Sequence, residues 1–386
     1  MSKTFPSPRL AVSAAFALNG ILLGAWASRV PAVVDRFDLS EGTLGLLLLV
    51  MGIGALVSFP LAGRLADRLG AFPVTKVLAG VYLVSIVAIG LAPDTTVLAM
   101  ALFLFGVGHG AMDVTMNSWA AEVERHSGRS IMSSFHAMWS LGAGLGAAGG
   151  WLASRQALPI DAHFAVTALV ALVIFGPLMH TRWTSARTAP QAKGPVFALP
   201  RGALVLVGLI AMGAGLGEGA AADWSAVFLA DVIEATPSQA ALGYAVFSVT
   251  MVAMRLNVDR LITRFGAVTV ARFSGLTAAA GYLLATAFAT LPTALAGFVL
   301  MGLGYAAVIP LAFSRAAADP EIPAGQAIAS VATLGYGAML MGPPAIGFIA
   351  DASSLRISFA LVGLFALLIA VLSPVLGRAR PAPQAV

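Results

Sequence analysis

The stretch Gly63-Arg64-Leu65-Ala66-Asp67-Arg68-Leu69-Gly70 returns later in the chain as Arg255-Leu256-Asn257-Val258-Asp259-Arg260-Leu261, followed by Arg264-Phe265-Gly266. An Asp-Arg-Leu core therefore occurs twice, each time at the end of a long apolar run. Counting apolar runs, the second copy comes six runs after the first. A chain built of two duplicated six-helix halves, with a site between them near the bilayer midplane, is a recurrent plan among secondary transporters.

Working outward, apolar runs bounded by charge or by Gly and Pro predict spans over 8–33, 43–66, 74–92, 96–121, 130–153 and 162–180. After a polar stretch they predict 203–230, 238–258, 267–288, 292–316, 324–349 and 356–377. Each has about the 20 apolar residues needed to cross some 30 Å of hydrocarbon. Of the 386 residues 59% are hydrophobic and 10% charged, against roughly 25% charged in a soluble chain. Such a surface suits lipid rather than water. The expected fold is an all-α membrane protein of twelve transmembrane helices in two pseudo-symmetric six-helix bundles, 1–180 and 203–386. A cytoplasmic linker, 181–202, joins them and carries Arg182, Arg187, Lys193 and Arg201.

Lys and Arg in loops set orientation. With the N-terminus inside, the cytoplasmic segments hold Lys3, Arg9, Arg64, Arg68, Lys76, Arg125, Arg129, the four linker cations, Arg255, Arg260, Arg264, Arg272, Arg315, Arg378 and Arg380. The outer side keeps only Arg29, Arg36, Arg155 and Arg356 of the 22. This places both termini in the cytoplasm and the chain in a bacterial inner membrane. The basic balance follows from topology and calls for no nucleic acid. The short polar start, Met1 to Arg9, has no cleavage motif after it and reads as retained. Cysteine is absent, which excludes disulfides and thiolate chemistry.

With these residues in view, the sequence resembles the major facilitator superfamily over essentially its whole length. That family's signature between spans 2 and 3, G-x-x-x-D-R-x-G, is matched by Gly63, Asp67, Arg68 and Gly70; the second copy keeps Asp259 and Arg260 without the leading glycine. The resemblance implies that Asp67 and Arg68, and by repetition Asp259 and Arg260, act in gating. The alternative is that the loop only sets topology.

An ionised side chain at the bilayer centre costs about 2.5–3.5 kcal/mol on insertion scales, so acids inside spans need a reason. Three qualify: Asp113 in span 4, and Glu218 and Asp223 in span 7. Spacings of four put His109, Asp113 and Asn117 on one helical face, flanked by the small residues Gly106, Gly108, Gly110 and Ala111, which permit close packing. This face suits proton uptake and release, or a structural Asp–His pair. The segment also resembles the L-fucose–proton symporter-like branch, in which an acid four residues before an asparagine takes the proton. Asp113 and Asn117 occupy those places, and Phe135 to Gly142 continue the likeness. That branch's second acid, four residues before a proline in span 1, is replaced here by Ala27.

Glycines flank Glu218 and let a backbone or a ligand approach, so Glu218 is a candidate for solute or proton binding. Asp223, nearer the outside, is a gating candidate expected to pair with Arg29 at the mouth. His136, with Ser140 one turn on, is a candidate proton relay beside Asp113. Further solute-binding candidates are Asn19, Trp26, Trp139, Trp224, Tyr305 and Tyr336. Trp151 and Trp183 read as interfacial anchors. Patterns such as Gly142-Ala-Gly-Leu-Gly146 predict close helix packing.

No Walker loop, H-E-x-x-H or Gly-x-Ser-x-Gly occurs, so neither ATP nor intramembrane hydrolysis is indicated. No cofactor or metal is expected and no enzymatic activity. The reading is a monomeric, proton-coupled transporter of a small polar organic solute, sugar-like or related, working by alternating access. Its partners are the solute, protons and the lipid bilayer. The rival readings are a proton-driven exporter of amphipathic compounds and a non-transporting sensor or scaffold on the same fold.

Overall fold

The structure, a computed structural model, describes residues 6–128, 131–187, 199–322 and 324–377. Lys3, Arg129, Lys193, Arg378 and Arg380 lie outside the described residues. Among those described, every regular element is a helix. Before the linker come α1 (Pro8–Ala27), α2 (Val30–Phe37), α3 (Glu41–Leu69), α4 (Ala71–Leu91), α5 (Thr95–Ser127), α6 (Met132–Arg155) and α7 (Ile160–Leu178). After it come α8 (Ala203–Asp231), α9 (Pro237–Ala240), α10 (Leu242–Arg255), α11 (Val258–Phe265), α12 (Ala267–Phe288), α13 (Leu291–Tyr305), α14 (Val308–Ala317), α15 (Ala324–Ala352) and α16 (Leu355–Leu372). The helices start where the sequence supplies caps: the side chains of Ser40 and Asp94 accept from the backbone N–H of Thr43 and Val97 at 3.2 and 2.9 Å, filling donors that the first turn leaves open.

Among the described residues ten helical stretches are long and apolar enough to cross a membrane, and eleven if α10 and α11 form one bent span. The expected twelve differs from this count at α6. Its 24 residues reach roughly 36 Å at 1.5 Å each. Its glycines, serines, His136 and Trp139, however, interrupt its apolar stretches, and it is not among the helices apolar enough to cross.

Three predicted spans are broken rather than continuous, 292–316 among them, where Ala306 and Ala307 separate α13 from α14. Span 8–33 divides at Ser28 and Arg29, where α1 stops and α2 begins with Pro31 in its first turn. Span 238–258 ends at Arg255, and α11 leaves it at 52°. The repeated motif also proves helical. Asp67 and Arg68 occupy the last turn of α3, not a loop, and the chain turns only at Gly70, φ +96°. In the second copy Asp259 and Arg260 open α11, and the turn waits for Gly266, φ +82°. Both turns use a backbone conformation that side chains with a Cβ resist.

By contact the chain groups into two units: Met1–Gln191 with Asp223–Val249, and Ala192–Ala222 with Thr250–Val386. The grouping does not follow the linker, because the end of α8, α9 and part of α10 belong with the first unit. In unit 1, α1 and α6 meet backbone to backbone: a Cβ on Gly20 or Gly24 would strike Trp139 O or Ala143 O, and one on Gly142 or Gly146 would strike Ala17 O or Ile21 O. Gly54, Gly106 and Gly110 do the same between α3 and α5. The packing expected of Gly142 and Gly146 is thus present. In unit 2, Gly281 and Gly297 join α12 to α13, and Gly275 lies against Ala366 and Ala370 of α16. Large apolar side chains such as Val77, Leu61, Phe273 and Val371 point outward in both units, as a lipid-facing surface requires.

The segment after α7 is a strap on unit 1 rather than a free linker. Thr181 Oγ1 donates to Pro6 O at 2.6 Å, Trp183 Nε1 donates to Glu122 Oε2 at 2.9 Å, and Phe72 N donates to Ser185 Oγ at 2.9 Å. Trp183 is therefore held by a carboxylate at the end of α5.

Candidate functional site

In unit 1 the polar face of α5 is built from inside the helix. Asn117 Nδ2 donates to Asp113 Oδ1 at 3.0 Å and to Asp113 O at 2.9 Å. The amide that steadies this carboxyl is neutral and lies one turn along the same helix. The Asp–His pair is not how His109 is used: its Nδ1 lies 3.2 Å from Tyr82 Oη of α4, and the tautomer decides which atom donates.

Asn19, fully buried in α1, ties three helices. Its Nδ2 donates to His109 O at 3.4 Å, and its Oδ1 accepts from Trp139 Nε1 of α6 at 2.8 Å. The structure thus brings Asn19, His109 and Trp139 together around the turn that precedes Asp113. Ser140 Oγ donates to His136 O at 3.3 Å. The His136 ring is exposed and stands edge-on to Phe16, centroids 5.2 Å apart.

Trp26 and Trp224 are wholly buried, with no hydrogen-bond partner for either indole N–H among the described residues. Trp26 packs against Phe105 at 6.2 Å, so it serves as wall and core. Asp223 is buried too. The expected ion pair with Arg29 is not formed: Arg29 Nη2 donates instead to Leu158 O at 2.9 Å, and Nε and Nη1 have no partner. The break at Ser28–Arg29 turns this side chain toward the α6–α7 connection instead of toward α8.

In unit 2, Glu218 Oε2 lies 3.5 Å from Arg255 Nη2, both side chains about a quarter exposed, at 24% and 25%. Glu218 Oε1 is buried and has no partner. Around the preceding glycine, Tyr282 Oη donates to Gly217 O at 3.3 Å. The ring of Tyr305 lies so close to Gly217 that any Cβ there would collide with it. Glycine at 217 is therefore a packing requirement. Tyr305 is fully buried beside Tyr282, ring centroids 6.5 Å apart, while Tyr336 on α15 is 49% exposed. Asp67 is half-buried and Arg68 exposed on α3; Asp259 and Arg260 are both exposed on α11.

Sequence reading missed Arg255, Tyr82 and Tyr282. Arg255 ends an apolar run and so reads as a cytoplasmic loop cation, yet its guanidinium reaches back to Glu218 of another span. The two tyrosines sit in apolar runs with no local mark; each is found only through its partner.

The sequence profile of the Major Facilitator Superfamily matches residues 10–214 and 204–386. An uncharacterized transporter of Sinorhizobium fredii is 57% identical over 370 residues, covering 96% of this chain and 98% of that protein. Among solved structures, the nucleoside transporter NupG superposes with a TM-score of 0.75 at 13% identity, over 97% of this chain and 100% of that one. A D-xylose-proton symporter superposes with a TM-score of 0.73 at 16% identity, over 95% and 97%. At these identities the structural likeness speaks to the fold.

Proposed function

This chain belongs to the major facilitator superfamily, a multi-pass membrane transporter by fold and kin, and from that premise we propose that it couples proton movement to transport of a small polar organic solute. One observation carries the reading. Among the described residues, the carboxyl of Asp113 inside its membrane helix accepts its hydrogen bond from a neutral amide, Asn117, and from no cation. Protonation there removes a charge from the membrane without stranding an opposite one. A charge inside the bilayer is expensive, so an acid placed in this way is suited to accept and release a proton as the helix alternates between two aqueous faces.

Asn19, His109 and Trp139 support that turn of α5, with His136 and Ser140 on α6 beside them. Glu218, with Arg255 and Tyr305, is the solute-facing group of the second half. The proposed plan keeps two six-helix halves joined by the 181–202 linker, both termini in the cytoplasm of a bacterial inner membrane, and a monomer as the working unit. Asp67 and Arg68, in the last turn of α3, and Asp259 and Arg260, in the first turn of α11, act in gating.

The test begins with a thermal-shift screen of solutes on the purified protein, followed by uptake of any hit into proteoliposomes under an imposed pH gradient. Wild type should accumulate the solute and lose the accumulation when a protonophore is added. Accumulation that ignores the pH gradient would refute proton coupling, and no transport of any bound solute would favour a sensor or scaffold.

A further inference from the structure

A buried cation at the broken end of α1 lacks a counter-charge. Arg29 is 5% exposed, and a guanidinium stays charged at any physiological pH. One of its nitrogens serves Leu158 O, while Nε and Nη1 are buried and unpartnered. Among the described residues no carboxylate stands at ion-pair distance from it. Burying an ion in this way is costly unless something paired to it is buried with it.

A second orphan lies beside it. His163, 4% exposed on the first turn of α7, has Nδ1 buried without a partner. Its backbone N–H bonds Pro159 O, next to the Leu158 carbonyl that Arg29 holds. Gly150 of α6 sits between Ser28, the residue before Arg29, and His163: a Cβ there would meet Ser28 Oγ, and His163 Cε1 at 3.7 Å. Ser28 Oγ is already committed to Ala25 O at 3.0 Å. The unfilled positions are therefore two N–H donors of a cation and a ring nitrogen that donates in its Nδ1–H tautomer.

We propose that Arg29 and His163 hold a small monovalent inorganic anion, of chloride size, in a closed site of unit 1. The charge sign follows from the guanidinium and the donor set. The size follows from enclosure, since Ser28, Arg29 and His163 are all nearly inaccessible and an organic solute would have no room. The anion completes the packing where α1 breaks, against the α6–α7 connection, and so steadies the turn on which α2 begins.

The probes are chloride and bromide, added to full-length purified protein in sodium methanesulfonate at constant ionic strength. The thermal midpoint should rise saturably with either halide, and equilibrium dialysis with radioactive chloride should find one bound ion per chain. Arg29→Gln should abolish both effects. Because that variant risks misfolding, His163→Ala provides the second arm and should weaken chloride binding by about tenfold, the weight of one hydrogen bond to a charged group. Identical midpoints in halide and methanesulfonate would overturn the proposal, as would chloride binding unchanged by His163→Ala. A halide effect that is absent or weak in the wild type and appears in Asp223→Asn, with His163→Ala unaffected, would overturn it by giving the counter-charge to Asp223.

Discussion

Asp113 in unit 1 and Glu218 in unit 2 are both single carboxyls placed far inside long helices, and they are compensated in opposite ways. Asp113 accepts from Asn117, a neutral amide of its own helix. Glu218 faces Arg255, a cation from another helix, at 3.5 Å. A neutral partner tolerates a proton on the acid; an ion pair does not, because protonation takes away the charge that balances the arginine. The difference divides the labour between the units. On the proposed reading Asp113 is equipped to change its protonation state, whereas protonating Glu218 would strand the Arg255 charge.

The repeated motif teaches the same lesson at the next level. In the first copy α3 runs unbroken through Arg64 to Leu69. In the second the helix stops at Arg255, and Asn257 Nδ2 donates back to Ala253 O at 2.8 Å, a side-chain bond that competes with regular helix. Similar sequences thus end in a straight helix where the arginine is exposed and in a 52° bend where it is paired.

Substitutions can break or sharpen this contrast. The largest effect on stability is expected from Glu218→Gln, which removes the carboxylate at Arg255. With both groups a quarter exposed, the loss should be about 2 kcal/mol, read as a clear fall in thermal midpoint, and Arg255→Met in the same chain should recover most of it. Asn117→Ala should cost about 1.5 kcal/mol, the lower end for a hydrogen bond to a charged group. If it costs more than Glu218→Gln, the contrast between the two acids is broken. Trp139→Phe removes the N–H that Asn19 accepts and should cost about 1 kcal/mol while slowing transport modestly. Arg68→Ala, at an exposed helix end, should change the midpoint by less than about 0.5 kcal/mol and act on transport rate instead.

Much of the fold was legible because lipid imposes a simple rule: long apolar runs become helices. The polar face of α5 was equally legible, since spacings of four within one helix survive folding. What stayed hidden were contacts between helices. Arg255 ends an apolar run, so a count of loop cations assigns it to water, and only the fold brings it back to Glu218. Tyr82 and Asn19 carry no local sign that they meet at His109. The break at Ser28–Arg29 was also invisible, because Val30 to Val33 carry the apolar run on past it. Low apolarity in α6 had the converse effect, leaving a helix of spanning length that composition alone does not place in the membrane.

The most direct test separates exchange from accumulation in proteoliposomes, using a solute identified by thermal shift. Asp113→Asn keeps a side-chain oxygen for Asn117 but can no longer ionise. The account predicts that this variant still exchanges labelled for unlabelled solute across the membrane yet no longer accumulates it under a pH gradient, while Glu218→Gln loses both. Full pH-driven accumulation by Asp113→Asn would contradict it.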